Sequence, residues 1–340
     1  MNTPTPITPT PITQGGWATI WAEKAAPSTP LSNRKVKTPF SPNKLPPLID
    51  KYAFTYPVTD KAIQKTLSDW LNTDSNLYSD IQSERLTSVT YRQGRKYRLG
   101  PGKWLVTVQG GPYRGGYRYL RVELNPANPK ALQCWDWVKA ELESIRFEPL
   151  QADRLITTRV DFTLDYEGLY PHWVMIDGAR VSQVITRADG EIQTTYRGAE
   201  TSDNRYRVYD KRAQLAKEAK QYSETPLTRF EHIYQPNNGV TFAELFNIHP
   251  FKHLKVNIFP DDNDTSKNIS RGEWLCILDS VQMRGVTAVL AGYADEPTKQ
   301  KALVKKFRSV IPDWWHPDPE QFHPVLEGLR GLLCNSVHDG

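Results

Sequence analysis

Apolar and polar residues alternate most clearly in Arg159-Val-Asp-Phe-Thr-Leu-Asp165. Val160, Phe162 and Leu164 fall on one face, and Arg159, Asp161, Thr163 and Asp165 on the other. A period of two predicts a half-buried strand, here with two carboxylates on its open face. The same period runs through residues 204–211, which sets Arg205, Arg207, Tyr209 and Lys211 on one side. It runs again through 228–234, where Thr228, Phe230, His232 and Tyr234 separate from Arg229, Glu231 and Ile233. Thr194–Gly198 reads as a further strand. Where the open faces coincide, Asp161, Tyr209 and Glu231 meet on one side of one sheet.

The rest of the chain supplies the surrounding elements. Residues 50–56 read as a strand and 59–72 as a helix, with Thr59 or Asp60 as its cap and Ile63, Leu67 and Leu71 on one face. Trp104–Gln109 and Tyr117–Leu124 form a hairpin across the glycine-rich Gly110–Gly116. Ala131–Ile145 is helical with Leu132, Trp135, Val138 and Leu142 inward, and a turn is expected at Asp189-Gly190. Lys211–Gln221 is rich in helix formers. A short helix at 241–247, a strand at 252–259 and helices at 271–292, 297–309 and 323–334 complete the pattern. The expected class is α+β, with a central antiparallel sheet, helices mainly on one face and a helical C-terminal part. Three stretches follow: a disordered Pro/Thr-rich tail over 1–48, an α+β domain over 49–260, and a helical segment over 261–340.

Composition narrows the field only slightly. The net charge of +5 suits a nucleic-acid partner without requiring one. Cys134, Cys276 and Cys334 follow no metal spacing and read as reduced thiols of a cytoplasmic protein. The first residues lack the basic and apolar parts of a signal peptide, and no run reaches the roughly 18 apolar residues of a membrane span. Gly110, Gly111, Gly115 and Gly116 match neither a Walker nor a dinucleotide fingerprint.

The polar face has two readings. Two carboxylates can hold one Mg²⁺ or Mn²⁺ through oxygen, and a tyrosine oxygen can attack phosphorus once its phenolate is favoured. Arginine forks match phosphate oxygens. The plainer reading is a packing tyrosine, salt-bridged aspartates and a Glu231 paired with a neighbouring cation. In 90–125, aromatic residues interleaved with arginine suit a single DNA strand, through Tyr113, Arg114 and Tyr117, or form a solvated hairpin face.

The motifs Arg-Val-Asp-Phe-Thr-Leu-Asp, Thr-Tyr-Arg-Gly, Arg-Val-Tyr-Asp-Lys and Arg-Phe-Glu resemble, in order and spacing, the replication initiation factor family. Its members start rolling-circle replication of plasmids and filamentous phages and are related to conjugative relaxases. The resemblance covers about 155–235 well and about 90–290 more loosely. It implies a site-specific DNA endonuclease and strand transferase in a bacterial host's cytoplasm. Tyr209 would attack the scissile phosphate, leaving a 5′-phosphotyrosyl link and a free 3′-OH. Asp161, Glu231 and Asp165 would hold Mg²⁺ or Mn²⁺. Arg197, Arg205, Arg207, Lys211 and Arg212 would hold DNA. Implied partners are origin DNA, single-stranded or supercoiled, a host helicase and polymerase, and a second copy of the chain. The chain departs from many rolling-circle initiators in having no His-x-His pair. The alternatives are a conjugative relaxase, a non-catalytic DNA-binding protein and a metal nuclease that uses water.

Overall fold

The computed structural model describes residues 42–73, 80–86, 88, 90–112, 118–177, 182–186, 192–219, 225–258, 269–284, 286–308 and 312–334. The turn expected at 189–190 and most of the expected tail lie outside them. Structure begins earlier than expected, since β1 (Asn43–Lys44) pairs with Tyr166 and Glu167.

A 12-stranded antiparallel sheet dominates the fold. Its first half contains β2 (Leu48–Pro57), β3 (Ile81–Arg85), β4 (Tyr91–Leu99), β5 (Val106–Pro112) and β6 (Tyr119–Leu124). Its second half contains β7 (Ile156–Glu167), β9 (Ser182–Thr186), β10 (Ile192–Arg197), β11 (Asn204–Asp210) and β12 (Leu227–Tyr234). The order is β3-β4-β5-β6-β2-β7-β12-β11-β10-β9, with β13 (Val240–Thr241) also pairing β7. β8 (Val174–Asp177) and β14 (Lys255–Ile258) form a separate two-stranded sheet.

The alternating pattern explains why one face is covered. Tyr52, Phe54 and Tyr56 of β2 and Val160, Phe162, Leu164 and Tyr166 of β7 are all buried. Against them pack α1 (Lys61–Asn72), α2 (Pro129–Ser144) and α7 (His323–Cys334). Asp60 caps α1 by accepting from the Ala62 backbone N–H at 2.6 Å. Trp135 of α2 meets Phe54 edge-on at 6.2 Å, and Trp315 lies 4.7 Å from Phe230. Truncating a buried indole such as Trp135 costs about 3–5 kcal/mol.

The expected helical segment over 261–340 is divided between two cores. α7, Trp315 and Phe322 belong to the main core. α4 (Arg271–Arg284), α5 (Val286–Ala291) and α6 (Pro297–Arg308) gather round Trp274, Leu303 and Phe307 in a core of their own. Among the described residues no helix is long and apolar enough to cross a membrane.

Candidate functional site

The other face of the sheet carries the polar residues of β7, β11 and β12, most of them buried, and strand register decides which of them meet. Arg207 lies opposite Glu231, Tyr209 opposite Arg229, and Arg229 opposite Asp165. Glu231 lies opposite Thr163, so Asp161 and Asp165 are its diagonal neighbours, roughly 7–8 Å away. The three carboxylates and the tyrosine are thus brought to one place.

Their hydrogen bonds form a chain. The Tyr209 hydroxyl donates to Glu231 Oε1 at 2.7 Å. Glu231 Oε2 accepts from Arg207 Nε at 2.8 Å and also from Arg207 Nη2. The Arg207 guanidinium lies over the Tyr209 ring, 4.5 Å from its centre. Glu231 is 0% exposed and Tyr209 6%. A hydroxyl, a carboxylate and a guanidinium that orients the carboxylate therefore stand in sequence, and such a series can activate a hydroxyl for attack.

The electrostatics hold the proton on Tyr209 and raise the basicity of Glu231. Burial raises the Tyr209 hydroxyl well above its ordinary value and the Glu231 charge raises it further, so the proton rests on the tyrosine. Burial also raises the Glu231 carboxyl, against the lowering effect of Arg207, which makes it a stronger base than a solvated glutamate. Asp161 is raised by burial against the pull of Arg159.

Arginines hold the remaining carboxylates. Arg159 grips both oxygens of Asp161 at 2.8 Å. Arg229 grips both of Asp165 at 2.7 Å and extends Nη1 to Asp50 at 3.0 Å. Asp50 was not expected in the site. It sits where the β2–β7 register shifts between Ile49 and Lys51, and alternation alone does not reveal such a bulge.

The donor set is chemically right for a hard cation: Asp161, Asp165, Glu231 and the buried Thr163 hydroxyl, which has no hydrogen-bond partner. The arrangement does not fit one. Both oxygens of each carboxylate are engaged by a guanidinium or by Tyr209. Among the described residues no three of His, Cys, Asp and Glu gather to hold a metal.

The expected DNA-contacting residues divide. Arg205 stands on the polar face beside Arg207, its guanidinium 4.3 Å from the Tyr196 ring centre. Lys211 and Arg212 open α3 (Lys211–Ala219), immediately after Tyr209. Lys211 donates to Gln214 at 3.0 Å, and Arg212 lies 3.8 Å from Asp210. Arg197 is a correction. It is 2% exposed and donates from Nε to the Ile176 carbonyl at 2.7 Å, so it braces β8 from the covered side. Tyr113, Arg114 and Tyr117 lie outside the described residues.

No family model matches the chain, and no curated protein matches it. Among solved structures, the chain is similar to the rolling-circle replication initiator protein of Geobacillus stearothermophilus. The match has 15% identity and covers 72% of this chain and 98% of that one, with a TM-score of 0.39. A likeness that weak leaves the functional reading to the site itself.

Proposed function

We propose that the protein nicks one strand of DNA by tyrosine attack and starts rolling-circle replication. The supporting observation is the hydrogen-bonded series Tyr209–Glu231–Arg207 on the polar face of the sheet. The Tyr209 oxygen attacks the scissile phosphorus while its proton passes to Glu231 Oε1. The bond from phosphorus to the 3′ oxygen breaks, and that oxygen takes a proton from water. The products are a 5′-phosphotyrosyl link and a free 3′-OH. Arg207 keeps Glu231 aimed at the hydroxyl and lies close enough to the ring to meet a phosphate oxygen there.

The guanidiniums already occupy the carboxylates that would hold a metal. For Mg²⁺ or Mn²⁺ to bind Asp161 and Glu231, Arg159 or Arg207 has to leave first. Arg159→Ala is therefore expected to tighten Mn²⁺ binding several-fold in calorimetry, while an unchanged affinity would locate the cation elsewhere.

Supercoiled DNA cloned from the locus that encodes the chain is the substrate for the main test, with products resolved on a denaturing gel. Wild type is expected to give a protein–DNA adduct that Tyr209→Phe does not. The rival reading is a non-cleaving DNA-binding protein, favoured by the burial of Tyr209. It predicts salt-dependent binding and no adduct from either protein.

A further inference from the structure

The two halves of the sheet repeat each other about an axis between β2 and β7. Across the second half, one row of facing residues reads Thr194, Tyr209, Arg229, Asp165, and the next reads Tyr196, Arg207, Glu231, Thr163. Across the first half, the corresponding rows read Gly94, Gln109, Arg121, Thr55 and Lys96, Thr107, Glu123, Ala53. An Arg-x-Glu therefore recurs in register on β6 and β12. Lys51 corresponds to Asp161, and the two face each other directly, which fixes the axis between them. Gln109 occupies the position of Tyr209.

The twin site is built, and its charge is reversed. Glu123 accepts from both Lys51, at 2.5 Å, and Arg121, at 2.8 Å, and Arg121 also donates to Gln109 Oε1 at 2.8 Å. One carboxylate thus serves two cations. In the second half one cation, Arg229, serves two carboxylates, Asp165 and Asp50. Beyond the twin site, on the same face, the Trp104 ring carries Lys96 at 4.6 Å and Arg98 at 4.5 Å. Lys96 also pairs with Glu84 at 3.0 Å, and the Trp104 ring with Arg98 over it matches the bases and phosphates of a strand.

We propose that the site of Lys51, Arg121, Glu123 and Gln109 is a non-cleaving twin of the Tyr209 site that holds a phosphate of the same DNA. The choice of DNA as occupant rests on the function proposed above. Five inter-strand steps of about 4.8 Å across the sheet and about eight residues of about 3.3 Å along the strands place Gln109 roughly 35 Å from Tyr209, a span that one extended strand can bridge. With no hydroxyl at position 109 the first half holds the strand without attacking it.

Fluorescence anisotropy of labelled 30-nucleotide oligo-dT over a KCl series tests this, with wild type, Arg121→Gln and Arg121→Lys. The slope of log affinity against log salt is expected to shrink by about 0.7 in Arg121→Gln, one single-strand phosphate contact, and to recover in Arg121→Lys. An unchanged slope in Arg121→Gln overturns the proposal. An equal loss in both variants, with a lowered melting temperature, also overturns it by showing a structural role. The adduct assay separates the two readings. Adduct from wild type with an unchanged Arg121→Gln slope removes the twin site alone. A reduced slope without adduct from wild type removes the nicking and keeps the twin site.

Discussion

The two halves of the sheet share a backbone frame and the Arg-x-Glu of their inner strands, yet only one carries a tyrosine bonded to its glutamate. In the second half Glu231 is fully buried and accepts from Tyr209. In the first half Glu123 is partly exposed and neutralised by Lys51 and Arg121, which lower its pKa against a burial effect that raises it. The same carboxylate on the same frame is thus a base in one place and an anchor for cations in the other. Replacing Thr107 by Arg207 and Thr55 by Asp165 changes the surroundings more than the fold. The frame supplies positions, and a few side chains decide the chemistry.

The sharpest way to break this contrast is Glu231→Gln, which keeps the shape and removes the base. Adduct formation is expected to slow by about 10²–10⁴-fold, while Glu123→Gln leaves single-turnover nicking at saturating DNA unchanged. Equal effects would erase the distinction between the halves. Wild-type nicking should also fall on the acid side as Glu231 takes a proton. The midpoint should lie above the ordinary carboxylate value because burial raises that group, and Glu231→Gln should lose this limb.

Next in size is Arg229→Met, which strips both oxygens of buried Asp165 of their partner. A loss of about 3–5 kcal/mol is expected in urea unfolding. Arg121→Met in the first half should cost under about 1 kcal/mol, because Glu123 keeps Lys51 and is partly solvated.

A smaller difference lies beneath the second half. His232 stacks between Tyr206 at 4.8 Å and Phe162 at 6.1 Å, and burial lowers its pKa to about 3. Leu124 takes the matching place in the first half, where nothing titrates. A histidine held neutral in the fold but protonated in the unfolded chain stabilises above its unfolded pKa of about 6.5. That stability is lost as pH falls from about 6.5 toward the folded value. The slope is up to about 1.4 kcal/mol per pH unit. His232→Leu should flatten the pH dependence of urea unfolding between pH 6.5 and 5, and an unchanged slope would show that the histidine is charged in the fold.

Much of the second half was legible in the sequence. Alternation in 159–165, 204–211 and 228–234 gave three central strands and assigned Tyr209, Glu231 and Asp161 to one face, because a half-buried strand enforces a period of two. It also separated Tyr206, which proves buried against His232, from that face. The pairings were not legible. Register determines whether Arg229 meets Asp165 or Glu231, and no local pattern encodes it. Asp50 entered through a bulge, and Arg197 was assigned to DNA because only register shows that it pairs with Tyr206 on the covered face while Tyr196 pairs with Arg207. The first half hid its kinship because the repeated side chains are few: only Arg121 and Glu123 repeat residues of the site itself. Edge strands β3 and β9 carry too little apolar surface to show in a pattern of burial.

The most direct measurement is to locate the bond itself. Wild type is incubated with the cloned DNA, the product is digested with nuclease and protease, and mass spectrometry finds the residue that carries the nucleotide remnant. The account predicts a phosphotyrosine-linked nucleotide on the peptide containing Tyr209, and on no peptide from the first half. A remnant on any other residue, or cleaved DNA with none attached, would contradict it.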